Sequence, residues 1–325
     1  MNRPLLEVKN LSKRFVVKQG FMGSKKAELH AVHDVSFSVA EGEAFGIVGE
    51  SGCGKSTAGR SLLRLTEPSA GEVRYKGEDI VGFDADRLRA LRREIQIIFQ
   101  DPYASLNPRM TIGQTLAEPM LLHGIATRAN VREKIEAALL EVGLPAQAAQ
   151  KYPHEFSGGQ RQRVGIARAL SLNPKLIVAD EPVSALDVSI QAQVLLLMED
   201  LQRKRGLSFV FISHDLGVVR HFCDNVAVMY LGRIVEKGSV DTVFEQPLHP
   251  YTQALRAASP VPDPENRITV AKIEGDIASP LNPPTGCHFH PRCPKAMAVC
   301  KREYPAMRQA EGREVACHLY PAVAA

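Results

Sequence analysis

Gly49-Glu50-Ser51-Gly52-Cys53-Gly54-Lys55-Ser56-Thr57 fits the pattern G-x-x-x-x-G-K-[ST] in full. Glycines let a backbone curl round an anion without Cβ clashes, so that amide N–H groups point inward. Lys55 can reach the outer phosphates of a nucleotide, and Ser56 can offer its hydroxyl to Mg²⁺. The apolar run Ala44-Phe45-Gly46-Ile47-Val48 precedes the loop, and helix formers follow at 58–65. Strand, glycine loop and helix is the context this motif needs, and the helix N-terminus adds a positive dipole end. The stretch therefore predicts nucleotide binding rather than an ordinary glycine-rich turn.

Other polar residues also stand directly after apolar runs: Gln100, Asp180-Glu181 and His214. Open parallel α/β sheets bind ligands outside the carboxyl ends of their strands, so these groups are candidates for one site. Asp180 after four apolar residues has the pattern of an acid that holds Mg²⁺ beside a phosphate loop. Glu181 could polarise the attacking water as a general base. Alone the pair would read as a solvated strand end; beside a phosphate loop it reads as catalytic. Ser157-Gly158-Gly159-Gln160 opens a helix, with Ser157 as its N-cap. That makes a second anion site at a helix N-terminus, or merely a well-capped helix. Its simplest use is to clamp the γ-phosphate of an ATP held by another subunit.

These groups need elements to hold them. Residues 5–9, 13–17, 31–39, 72–75, 94–99, 175–179 and 207–212 read as strands, and 225–230 with 233–236 as a hairpin-like pair. Residues 19–26 read as a loop, and Phe15 as either a core aromatic or a stacking partner for adenine. Helical patterns at 110–122, 128–142 and 158–170 form an insert in the α/β core. Beyond Gln246 the prolines crowd together, which argues for a separate loop-rich extension.

The chain's 325 residues and 45% hydrophobic content allow one large domain with an appendage, or two domains. A net charge of +4 with no basic tract speaks against nucleic acid as a partner. No run approaches the ~20 apolar residues that span a bilayer, and residues 1–10 lack a signal-peptide core. Any contact with a membrane is expected to go through partners.

The whole set resembles the nucleotide-binding subunit of an ABC transporter. Gly49–Thr57 is similar to Walker A, Gln100 to the Q-loop, Ser157–Gln160 to the signature motif and Leu176–Asp180 to Walker B. Glu181 stands where the family has its catalytic glutamate, Ser184-Ala185-Leu186-Asp187 resembles the D-loop and His214 the switch histidine. Phe156 and Val183 replace a commoner Leu and Thr, away from any phosphate-binding position. A narrower likeness joins Gln100-Asp101-Pro102-Tyr103-Ala104-Ser105-Leu106-Asn107-Pro108-Arg109, His249-Pro250-Tyr251-Thr252 and the Cys-containing ending. Those stretches resemble the oligopeptide/dipeptide/nickel importers, nearest to the second of their two ATPases.

The resemblance implies a P-loop NTPase core with a mixed sheet, an antiparallel subdomain and a helical insert at about 101–172. It implies an ATP-binding domain at 1–245 and an extension at 246–325. The implied activity is Mg·ATP hydrolysis driving uptake of di- or oligopeptides, with nickel or another small solute as alternative cargo. The implied partners are a second ATPase subunit as heterodimer, two membrane permeases and an extracytoplasmic solute-binding protein. The implied place is the cytoplasmic face of the inner membrane. ATP would lie between one chain's Walker A and its partner's signature, with Asp187 among the nucleotide-binding residues. A soluble ABC-type ATPase is a rival, as is a catalytically idle regulatory subunit. The first lacks its usual second ATPase half or coiled coil, and the second is disfavoured by Lys55, Asp180, Glu181 and His214.

Cys287, Cys293, Cys300 and Cys317 are spaced C-x5-C-x6-C-x16-C. Four thiolates suit Zn²⁺ or an iron–sulfur cluster. Close C-x2-C pairs are absent and Pro294 follows Cys293, which leans toward [4Fe–4S], as the family resemblance also implies. Buried or reactive thiols are the alternative. His288, His290 and His318 flank them and could replace one ligand; Cys53 and Cys223 read as structural.

Overall fold

The computed structural model of the chain describes residues 3–19, 25–258 and 278–320. Along the chain run β1 (Leu6–Gln19), β2 (Lys25–Val39), β3 (Ala44–Val48), α1 (Lys55–Leu62), β4 (Ala70–Tyr75) and β5 (Glu78–Asp79). Then come α2 (Ala85–Glu94), β6 (Ile95–Ile98), α3 (Ile112–Leu122), α4 (Val131–Glu141), α5 (Gly158–Leu170) and β7 (Leu176–Asp180). Next are α6 (Val188–Arg205), β8 (Ser208–Ser213), α7 (Leu216–Phe222), β9 (Asn225–Tyr230) and β10 (Arg233–Ser239). The last are α8 (Val240–Glu245), α9 (Pro250–Ala258), β11 (Arg308–Ala310) and β12 (Arg313–Val315). They fall into two compact units.

The first unit comprises Met1–Ser38, Ala44–Val81 and Ser213–Ala325. It holds an antiparallel sheet in the order β2-β1-β4-β5. The two strands expected at 5–9 and 13–17 are one long strand whose register against β4 shifts between Lys9 and Ser12. That irregularity lets one strand bend where the sequence suggests a break. Elsewhere in the unit β3 runs parallel to β9, pairing Phe45 with Asn225 through Val48 with Val228. All five residues of β3 are buried, the signature of a strand covered on both faces. β9 and β10 form the expected hairpin. The extension then adds to it: β12 pairs with β10, Glu236 opposite Val315, and β11 pairs with β12. Prolines 260, 262 and 264 lie outside the described residues.

The second unit comprises Val39–Glu43 and Gly82–Ile212. Its strands β6, β7 and β8 are parallel, pairing Ile95 with Leu176 and Leu176 with Ser208. β7 and β8 are buried at every residue. Helices α3, α4 and α5 form the insert. Thr111 and Gln114 close a capping box at the start of α3. Its buried side chains Ile112, Leu116 and Met120 recur at helical spacing, as do Ile135 and Leu139 on α4. Among the described residues no helix is long and apolar enough to cross a membrane.

Candidate functional site

In the first unit, β3 ends at the phosphate loop and α1 begins at Lys55. The loop's tightness explains two glycines. Gly54 has φ 105°, and a Cβ there would lie 2.0 Å from the Ala31 carbonyl oxygen. A Cβ on Gly49 would lie 2.2 Å from the Met229 carbonyl oxygen. Such contacts leave no room for a side chain, so the cradle is built by packing as well as by turn geometry. Lys55 is buried, and its ammonium donates to the carbonyls of Gly49 (2.8 Å) and Glu50 (3.0 Å). The cation thus sits inside the curl of the loop, where an anion's phosphates would meet it. Ser56 and Thr57 follow in the first turn of α1. Cys53 is buried, and burial raises its thiol pKa, which suits the structural reading of it.

Phe15 is 37% exposed, with the Lys13 ammonium 4.9 Å from its ring centre. It is therefore no core aromatic. His214 is exposed just after β8, beside Asp215, whose carboxylate caps α7 through the N–H groups of Gly217 and Val218.

In the second unit, β7 carries Asp180 at its last position, 1% exposed. Glu181 follows with φ 47°, a left-handed conformation that is rare outside glycine. Its N–H donates to the Ile212 carbonyl (2.9 Å), and its own carbonyl accepts from the Ser184 hydroxyl (3.1 Å). Strain of this kind costs on the order of 1–3 kcal/mol and gathers where a side chain must be aimed. Its carboxylate accepts from Gln100 Nε2 at 2.9 Å. Gln100 and Glu181 stand 81 residues apart and follow β6 and β7, which are adjacent parallel strands. The sheet brings these two predicted residues together.

Ser157 caps α5: its Oγ accepts from the Gln160 N–H (3.3 Å), and Gln160 Oε1 accepts from the Ser157 N–H (3.0 Å). A Cβ on Gly159 would lie 2.5 Å from Ile190 Cγ2, and one on Gly158 3.4 Å from Leu186 Cδ2. The start of α5 therefore packs tightly on the segment around Asp187, the N-cap residue of α6.

The cysteine expectation is overturned. Among the described residues no group of three or more His, Cys, Asp or Glu side chains is placed to hold a metal ion. Cys287, Cys293, Cys300 and Cys317 do not form a [4Fe–4S] ligand set, and the zinc alternative falls with it. Cys300 and Cys317 are buried, Cys287 and Cys293 partly so. Burial pushes the Cys287 thiol up to about 11 and raises those of Cys293 and Cys317. Cys317 packs with Leu248 and Val315, and Cys300 Sγ accepts from the Met297 N–H (3.4 Å). The flanking histidines are engaged elsewhere. His290 Nδ1 lies 2.9 Å from the Cys287 carbonyl, His318 Nε2 lies 2.9 Å from that of Glu303, and His288 meets the Tyr304 ring edge-on.

Residues that the sequence reading left without a role hold the phosphate loop from the extension. The Tyr251 hydroxyl, fully buried, accepts from the Glu50 N–H (2.8 Å). Arg292 donates to both carboxylate oxygens of Glu50 (2.8 and 2.9 Å) and lies 3.4 Å from the Tyr230 hydroxyl. Tyr230, Tyr251 and Phe289 pack ring against ring, with centres 4.7 to 5.4 Å apart. Buried Glu236 accepts the N–H groups of Leu248 and His249, both at 2.9 Å. The one available signal was that Tyr251 and Arg292 lie in the stretches that carry the narrower resemblance.

Residues 32–184 match the family model described as ABC transporter, and residues 235–300 match the one described as Oligopeptide/dipeptide transporter, C-terminal region. The chain is 51% identical to the oligopeptide transport ATP-binding protein AppF of Bacillus subtilis, over 97% of each chain. It is 51% identical to the oligopeptide transport ATP-binding protein OppF of Escherichia coli, over 96% of this chain and 95% of that one. Among solved structures it is similar to the dimeric ATP-binding cassette MJ0796 bound to ADP and Pi. That likeness has 30% identity and a TM-score of 0.64, over 72% of this chain and 98% of the other.

Proposed function

The chain belongs to the ATP-binding subunits of ABC transporters and is an ATPase coupled to transport, and on that premise we propose that its cargo is a di- or oligopeptide. The cargo reading draws support from the extension, which matches the oligopeptide/dipeptide transporter region and which the named relatives share in length. We further propose residues 1–245 as the ATP-binding domain and 246–325 as the transporter-specific extension. The working place would be the cytoplasmic face of the inner membrane, on two permeases fed by a solute-binding protein. A second ATPase subunit would complete the assembly.

One observation carries the catalytic reading: Glu181, held in a left-handed conformation directly after Asp180, is hydrogen-bonded by Gln100. Glu181 would polarise the attacking water, and Gln100 would keep its carboxylate in place. Lys55 and the amides of Gly49, Glu50, Ser51, Gly52, Cys53, Gly54, Ser56 and Thr57 would hold the phosphates. The cradle fits such a ligand, since Gly49 and Gly54 are packed too closely to carry side chains. Oxygen donors Ser56, Asp180 and Gln100 suit Mg²⁺, which offsets phosphate charge when bound. His214 would keep the γ-phosphate and Glu181 in register, and Phe15 would face the adenine. Ser157, Gly158, Gly159, Gln160 and Asp187 would act on the nucleotide of the second ATPase.

The test is Glu181→Gln in the assembled transporter. ATP binding should persist, while hydrolysis and uptake of a labelled dipeptide fall by about 10²–10⁴. Hydrolysis within a few-fold of wild type would remove Glu181 from the role. Wild-type uptake of Ni²⁺ but of no peptide would refute the cargo.

A further inference from the structure

All three polar groups of Glu50 are engaged. Its carbonyl accepts from Lys55, its N–H donates to Tyr251, and its carboxylate takes a two-pronged contact from Arg292. Two of the three partners come from the C-terminal extension, 201 and 242 residues away in the chain. Glu50 occupies an open position of the phosphate-loop pattern, so nothing in the motif asks for a carboxylate there. A carboxylate in an anion cradle repels the very ligand the cradle is built for, unless its charge is cancelled locally.

The cancellation is well built. The Arg292 side chain is 6% exposed and that of Glu50 21%, so water and salt screen the pair only in part. Paired N–H donors on a carboxylate fix orientation as well as charge. Arg292 ends the 3-10 turn His290–Arg292, which starts from Phe289, itself 1% exposed among Tyr230, Tyr251 and His249. The guanidinium is thus placed by an aromatic core and does not sweep through solvent.

We propose that Arg292 is a positioning residue for the phosphate loop, through which the C-terminal extension sets the affinity for ATP. By fixing and neutralising Glu50 it leaves the cradle pre-formed and net cationic. This rests on the phosphate-loop reading above. It makes the extension part of the nucleotide machinery and not only an attachment specific to the transporter type.

The test is equilibrium binding of Mg·ATP to the purified full-length chain, with Lys55→Ala as a control. Arg292→Gln should weaken binding about tenfold, because a bare carboxylate then faces the triphosphate. Added salt should narrow that gap. Arg292→Lys should recover part of the loss, since it restores charge without the two-pronged geometry. The double variant Glu50→Gln/Arg292→Gln should bind more tightly than Arg292→Gln alone. A merely damaged fold would not be rescued by a second substitution. Unchanged affinity in Arg292→Gln, or a double variant as weak as the single one, would overturn the proposal. Lys55→Ala binding as tightly as wild type would overturn the phosphate-loop reading itself, and the proposal with it.

Discussion

His249 should make the extension sensitive to acid, by an amount that can be worked out. The ring is 1% exposed, and its Nδ1 accepts the Tyr251 N–H at 3.0 Å. That bond requires a neutral ring with its proton on Nε2. Burial lowers the pKa from 6.5 to about 3. A histidine depressed on folding gives stability that is complete above its unfolded pKa and lost as pH falls toward the folded one, because the unfolded chain binds the extra proton. Each unit is worth about 1.4 kcal/mol, so lowering the pH from about 7.5 to about 5 should cost about 2 kcal/mol. Glu236 works in the opposite direction: burial raises its pKa above 4.5, so stability there grows as pH falls through the raised value. His288, lowered to about 4, adds a loss of the same sign as His249. The measurement must therefore be a difference. In His249→Asn the side-chain oxygen can still accept the Tyr251 N–H, but nothing titrates. Urea unfolding followed by circular dichroism should show wild type losing about 2 kcal/mol more than the variant over that range. Equal losses in both proteins would refute the reasoning.

Two further outcomes follow from the loop and the signature helix. Lys55→Ala should weaken ATP binding itself, since the ammonium lies inside the loop's curl, and equilibrium dialysis reads this directly. Unchanged affinity would count against the cradle. Ser157→Arg removes the capping oxygen of α5, at a cost of roughly 1 kcal/mol to the helix. It should leave ATP binding by the isolated chain intact and abolish hydrolysis in the assembled transporter; normal turnover there would defeat the shared-nucleotide reading.

Local patterns were legible because local physics makes them. The phosphate loop, the apolar runs of β3, β7 and β8 and the three helices of the insert each follow from neighbouring residues. The continuity of β1 was not legible, since a register shift between Lys9 and Ser12 is set by the partner strand β4 and looks from the sequence like a break between two strands. The Gln100–Glu181 contact depends on β6 lying beside β7, which no spacing along the chain encodes. The cysteines mislead for a related reason. Residue type suggests what a side chain can bind, but burial and placement decide whether it does. Here no group of metal-ligating side chains forms among the described residues, and Cys317 sits in an apolar cluster.

Glu50 makes the limit of motif reading concrete. The pattern constrains the glycines, Lys55 and Ser56, because a phosphate needs close amides, a cation and a hydroxyl. It leaves position 50 open, because that side chain need not touch the ligand. An open position is where a chain can attach something of its own. Here a carboxylate meets Arg292 and a backbone N–H meets Tyr251, both from the extension. A lone Glu in the loop would oppose anion binding, and a lone Arg292 among aromatic rings would leave a buried charge uncompensated. Each is tolerable only with the other, so the pair ties the extension's fold to the loop's electrostatics.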